Sequence, residues 1–154
     1  MTDDQKRISA QREIPASSEE IFEVLSLPAN HVALDGSGFV RGLDHGDRIT
    51  EVGQVFTMNM DGEHMGGEYQ TDNHVTGYGK NQRLAWKTAP AGTQPPGWEW
   101  TWTLEPQGPD STLVSVAYDW SEVTDKDLLE KVGFPLVPQE ALEESLARLA
   151  SEVD

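Results

Sequence analysis

Residues 98–104 read Trp98-Glu99-Trp100-Thr101-Trp102-Thr103-Leu104. Three of the chain's five tryptophans alternate here with polar residues, and a two-residue period is that of a β-strand. All three indoles therefore leave one face of one strand, and Leu104 continues the row. Valine-sized side chains suffice to keep a strand face dry. Three indoles in a row call for a deep space to fill or a cavity to line. Two readings follow: the core of a sheet covered by a helix, or the wall of a ligand cavity.

A chain of 154 residues reads as one domain, 1–154. Folding at this size buries roughly 68–70% of the unfolded surface, enough for a real core. The chain has no cysteine, which excludes disulfides, thiol catalysis, iron–sulfur clusters and thiolate zinc sites. Its 27 acidic and 11 basic residues give a net charge of −16. Phosphate backbones and anionic lipid surfaces would repel such a protein, so no nucleic-acid partner is expected. The apolar runs are too short for membrane insertion. The polar start Met1-Thr2-Asp3-Asp4-Gln5 does not read as a signal peptide, and the expected location is cytoplasmic. Glu19, Glu20 and Glu23, like Glu140, Glu143 and Glu144, read as solvated helix faces.

Residues 7–14 suggest a first strand, ended by Pro15. Ser17 with Glu20 three positions on has the pattern of a helix capping box, and Ile21, Phe22 and Leu25 occupy one face of that helix. Pro28 stops it, and a short second helix is expected over 28–34. Strand-like runs follow at about 38–43, 54–61, 67–77, 82–89, 97–105 and 111–120. Turns rich in Gly, Pro, Asn and Asp separate them, the signature of an antiparallel meander. A short helical piece is expected over Asp125–Lys131, and Pro135 and Pro138 then break the chain. Residues 139–153 form the clearest long helix, with Leu142, Leu146, Leu149 and Val153 on one stripe. That stripe needs a large apolar surface to cover, and the inner face of a curved sheet is the one available. A sheet gripping a terminal helix leaves a space between them.

This order of elements resembles the SRPBCC superfamily, which includes START-like lipid-transfer domains, plant pathogenesis-related allergens and polyketide cyclases. The resemblance is carried by Ile14-Pro15-Ala16-Ser17-Ser18-Glu19-Glu20-Ile21-Phe22-Glu23-Val24-Leu25 at the first strand-to-helix entry. It continues through Val52-Gly53-Gln54-Val55-Phe56-Thr57-Met58, through Asn73-His74-Val75 with Arg83-Leu84-Ala85-Trp86, and through residues 111–120. It ends in the closing helix at 142–149, so it spans nearly the whole chain. It implies an α+β helix-grip fold: a curved seven-stranded antiparallel sheet wrapped around a long C-terminal helix, with two short helices after the first strand. It also implies an internal hydrophobic cavity. Members of the superfamily bind, carry, cyclise or hydroxylate very different molecules, so the fold does not fix the chemistry. The iron-dependent branch uses a cysteine-bearing domain, which this chain does not have.

Alternation assigns the inward faces. Phe56, Met58 and Met60 share one; Tyr69, Thr71, Asn73 and Val75 another. Leu84, Trp86 and Thr88 follow, then Trp98, Trp100 and Trp102, then Val114, Val116, Tyr118 and Trp120. Leu142 and Leu146 answer from the terminal helix. The candidate ligand-binding residues are therefore Phe56, Met58, Met60, Tyr69, Thr71, Asn73, Trp86, Trp98, Trp100, Trp102, Tyr118, Leu142 and Leu146. Each buried hydroxyl or amide among them needs a partner in backbone, water or ligand, since an unpaired one costs roughly 1–3 kcal/mol.

The four histidines show no metal-ligand spacing, and neither a metal nor a cofactor is expected. His64 falls in a hairpin loop and His45 in a Gly/Asp-rich turn; His74 lies on the outward face with Asp72. His31 and Asp35 flank the short second helix, and a surface role is preferred over an acid/base pair. Asp35 can also bond downstream backbone N–H groups in the following turn. The first functional expectation is binding of a small hydrophobic molecule such as a lipid, polyketide or aromatic metabolite. The alternative is a polyketide cyclase/dehydratase-type enzyme in which Tyr69, Asn73 or Tyr118 orients carbonyls or passes protons. Only tyrosines are expected as inward titratable groups, which argues mildly against strong acid/base work. Polar outward positions such as Glu99, Thr101, Thr103, Lys87 and Gln70 argue against a protein-docking module. Homodimerisation is left open.

Overall fold

The computed structural model describes residues 7–35, 40–62, 66–93, 95, 97–123 and 139–153. The elements are β1 (Arg7–Ile14), α1 (Ser18–Leu25), a 3-10 turn (Pro28–Asn30), α2 (His31–Leu34), β2 (Val40–His45), β3 (Val55–Gly62), β4 (Gly67–Gly79), β5 (Arg83–Pro90), β6 (Glu99–Gly108), β7 (Ser111–Asp119) and α3 (Gln139–Glu152). The strands form one seven-stranded sheet in the order β1-β7-β6-β5-β4-β3-β2, and every neighbouring pair is antiparallel. This is the α+β helix-grip architecture expected from the sequence. All six later strands lie within three residues of their expected bounds. β2 is shifted towards the C-terminus, so His45 ends a strand instead of sitting in a turn. The helix expected over 125–131, the prolines at 135 and 138, the Gly36-Ser37-Gly38 turn and His64 lie outside the described residues.

Local chemistry explains the ends of α1. Ser17 Oγ accepts the Glu20 N–H at 3.1 Å, and the Glu20 carboxylate accepts the Ser17 N–H at 3.3 Å. Two donors that a helix start leaves orphaned are thereby satisfied. Ile21, Phe22 and Leu25 are buried. At the other end of the chain, α3 buries Ala141, Leu142, Leu146 and Leu149 against the inner face of the sheet, in the same core as Trp86, Trp102 and Tyr118. Gln139 donates to the Ser9 carbonyl at 2.6 Å and Arg148 donates to the Asp35 carbonyl at 2.6 Å. The terminal helix is thus tied both to the first strand and to the end of α2. Bulges interrupt the β2–β3, β4–β5 and β6–β7 ladders. A bulge bends its strand and raises the local twist, which is what a sheet needs in order to wrap a helix.

Candidate ligand site

Antiparallel register turns the alternating sequence pattern into cross-strand rows on the inner face. One row runs Val75, Trp86, Trp100, Tyr118, Ile8 across five strands. The next runs Leu84, Trp102, Val116, Ala10. On the other side lie Phe56, Asn73 and Thr88, then Met58 with Thr71, then Met60 with Tyr69. The residues read as inward from the sequence therefore do share one face, and Leu142 and Leu146 pack into the same core. Trp98 sits just before β6 and is 8% exposed. Phe56 meets Trp86 edge to face at 5.3 Å, Trp100 lies 4.6 Å from Tyr118, and Tyr118 lies 5.6 Å from Trp120. Aromatic pairs prefer such tilted or edge-on arrangements.

The wall is not uniformly covered. Phe56, Met58, Trp86, Trp102 and Tyr118 are buried, whereas Met60, Tyr69 and Trp100 keep partial exposure although they face inward. The polar residues on this face largely pair with each other. Thr88 Oγ1 donates to Asn73 Oδ1 at 2.7 Å, and Asn73 Nδ2 donates to the Phe56 carbonyl at 3.2 Å. Asn73 Nδ2 also lies 3.4 Å from Thr71 Oγ1. The amide that the sequence offers to backbone, water or ligand is thus taken up by backbone and side chains.

Burial, then the negative charges of Asp35 and Asp61, push the Tyr69 phenol up to about 12. Burial, reinforced by Tyr69, drives Tyr118 further above its ordinary value. Both side chains stay neutral phenols at neutral pH. They can donate a hydrogen bond but cannot serve as bases.

His31 departs from expectation. In place of a surface position it is buried, at 8% exposure. Its ring stands edge-on to Trp86 at 5.2 Å and to Trp102 at 6.0 Å. Helix α1 explains the placement. The last carbonyls of a helix have no partner within it, and here three successive ones are capped by side chains. Arg48 donates to Glu23 O at 2.8 Å, Asn30 to Val24 O at 3.0 Å, and His31 Nε2 to Leu25 O at 2.8 Å. A carbonyl only accepts, so Nε2 carries the hydrogen. Burial holds the imidazole below its ordinary pKa, opposed by the Leu25 hydrogen bond and the charge of Asp35. Asp35 accepts the Val40 N–H at 3.1 Å, the turn role expected of it. The inner face thus contains a titratable group besides tyrosine.

The outer face carries a second polar cluster. His45 joins Asp44 at 2.8 Å and Thr57 Oγ1 at 3.2 Å, and Thr57 donates to Asp72 Oδ1 at 2.7 Å. The Gly92 N–H and the Thr57 hydroxyl hold the Asp72 carboxyl below its usual range. Because Thr57 Oγ1 gives its proton to the Asp72 carboxylate, the hydroxyl does not donate to His45, and the row Asp44–His45–Thr57 is no nucleophile triad. Among the described residues no group of three or more His, Asp or Glu side chains gathers to hold a metal ion, and no helix is long and apolar enough to cross a membrane.

No family model matches the chain. It is 28% identical over 150 residues to the Mycobacterium tuberculosis protein Rv0088, covering 95% of this chain and 63% of that protein. A counterpart in a second strain of that organism, MT0096, is 27% identical over the same span. The chain therefore spans less than two thirds of the curated relatives it matches. Among solved structures, the Zhui aromatase/cyclase from Streptomyces sp. R1128 superposes with a TM-score of 0.70 at 11% identity, covering 96% of this chain and 92% of that one. A START superfamily protein from Mycobacterium smegmatis gives 0.61 at 21% identity, covering 96% of each chain. Truncated norcoclaurine synthase from Thalictrum flavum gives 0.63 at 22%, covering 96% and 92%. At these identities the likenesses speak for the fold alone, and the chain has the SRPBCC/START-like helix-grip fold.

Proposed function

We propose that this protein binds a small hydrophobic molecule between the inner face of its sheet and α3. The observation that carries the reading is the uneven cover of that face. Trp86, Trp98 and Trp102 are buried, yet Met60, Tyr69 and Trp100, on the same face, are only half-buried. Apolar surface left open inside a concave wall is surface that a ligand can take from water, at roughly 25 cal/mol per Å². Methionine adapts to irregular ligand shapes, and the indoles suit a flat or extended molecule. The likeness to an aromatase/cyclase and to a START superfamily protein agrees with this reading at the level of fold.

Catalysis of the cyclase/dehydratase kind is the second reading, and His31 is the observation in its favour. Tyr69 and Tyr118 are held protonated, so a base on this wall would have to be the imidazole. Binding needs no such base and remains the simpler function. Titration with the neutral dye Nile red, followed by tryptophan quenching, tests it. Saturable binding at one site, weakened by Trp100→Ala, is the expected result. Quenching that rises linearly without saturation would overturn the reading.

A further inference from the structure

Asp35 stands where three elements meet. It follows the last residue of α2, its main-chain oxygen accepts Arg148 Nη1 of α3 at 2.6 Å, and its carboxylate accepts the Val40 N–H of β2 at 3.1 Å. Val40 packs against the core and pairs with Met60, which in turn pairs with Tyr69. The half-buried carboxylate therefore lies at the end of the row that holds Met60 and Tyr69, next to the terminal helix. Two groups of the inner face feel its charge. After burial, Asp35 and then Asp61 raise the Tyr69 phenol. Burial lowers the His31 ring, and the Leu25 hydrogen bond and Asp35 oppose it. Tyr118 lies 4.6 Å from Trp100, and after burial it is Tyr69 that raises its phenol. A negative charge thus stands at one end of a line of aromatic side chains that ends at Trp100.

Resting on the reading that the inner face holds a ligand, we propose that this ligand is a hydrophobic amine, with its ammonium group beside the Asp35 carboxylate and its apolar body along Met60 and Trp100. The body follows from the half-buried thioether and indole. The head follows from the carboxylate, which is screened less than a fully exposed one, so it attracts an ammonium and repels a carboxylate or phosphate head. Arg148 does not reverse the sign, because its guanidinium is paired with Glu144 at 3.0 Å. Aromatic rings favour the same choice, since their faces attract cations.

The test compares three naphthalenes by titration calorimetry at pH 7: 1-naphthylmethylamine, the neutral 1-naphthalenemethanol and 1-naphthoate. Wild-type protein should prefer the amine to the alcohol by roughly three- to tenfold, the size of one partly screened ion pair, and bind the naphthoate weakest. Asp35→Asn, which keeps an oxygen for the Val40 N–H, should abolish the preference. Asp110→Asn removes the same unit of charge from the exposed β6–β7 turn, at the other end of the strands, and should preserve it. Should Asp35→Asn fail to fold, ¹³C NMR of the wild type decides: the Asp35 carboxyl resonance should move with the amine and not with the alcohol. Equal affinities for amine and alcohol, a preference that survives Asp35→Asn or vanishes in Asp110→Asn, or an unmoved Asp35 signal with amine bound would overturn the charged head and leave hydrophobic binding standing. Binding of none of the three would remove both.

Discussion

Replacing Thr88 with valine removes one hydroxyl and keeps the shape of the side chain. Thr88 is 8% exposed and Asn73 is 4% exposed, and their hydrogen bond is 2.7 Å long. The valine leaves Asn73 Oδ1 buried without its donor, at a cost of about 1–3 kcal/mol. For a domain of this length each kcal/mol lowers Tm by roughly 2–4 °C, so Thr88→Val should melt about 4–8 °C lower at the middle of that range. Asn73→Leu alone should also destabilise, because it strips the Thr88 hydroxyl and the Phe56 carbonyl of a partner. The double variant leaves neither the amide nor the hydroxyl orphaned, so its cost should fall short of the sum by roughly 0.5–3 kcal/mol. Urea unfolding followed by tryptophan fluorescence, with unchanged m-values, measures all four corners of the cycle. Strict additivity, or a Thr88→Val protein as stable as the parent, would refute the network. Nile red should still saturate Thr88→Val, because this pair is committed within the protein.

Two further outcomes follow from the geometry. Gly97 has φ +132°, and a Cβ there would come 2.5 Å from the Glu122 carbonyl oxygen; Gly97→Ala should cost roughly 1–3 kcal/mol, and a melting temperature equal to wild type would contradict the close approach. His31 is held below its ordinary value of 6.5, so as the pH falls through about 6.5 the unfolded chain takes up a proton that the folded one resists, and stability drops. Wild type should therefore lose more unfolding free energy than His31→Phe between pH 7.5 and 5.5, and parallel losses would refute the assignment.

The parts of the fold set by periodicity were legible in the sequence. The alternation of Trp98, Trp100 and Trp102 places them on one face because a strand repeats every two residues, and the Leu142–Leu146–Leu149 stripe places α3 for the analogous reason. The Ser17–Glu20 pair marks the start of α1 because its hydrogen bonds lie within four residues of chain. His31 was not legible. It sits on a four-residue helix, too short to carry a period, and its burial follows from the orphan Leu25 carbonyl and from indoles more than fifty residues away. The same holds for Thr88 and Asn73: each reads as a lone inward polar residue, and only the β4–β5 register pairs them. Met60 and Trp100 have the same alternation as their buried neighbours, so nothing in the pattern distinguishes covered from uncovered positions on one wall.

The strand order has a consequence for synthesis. β1 is made before the other six strands, yet it pairs with β7, matching Ile14 to Thr112. Until the last strand leaves the ribosome, the N-terminal segment has nothing to zip against, and such distant pairings are slow to close. Its outward side chains, Arg7, Ser9, Gln11 and Glu13, and Arg12 at the edge of its inner face, are polar or charged, which suits a strand that must wait alone in water without recruiting another chain.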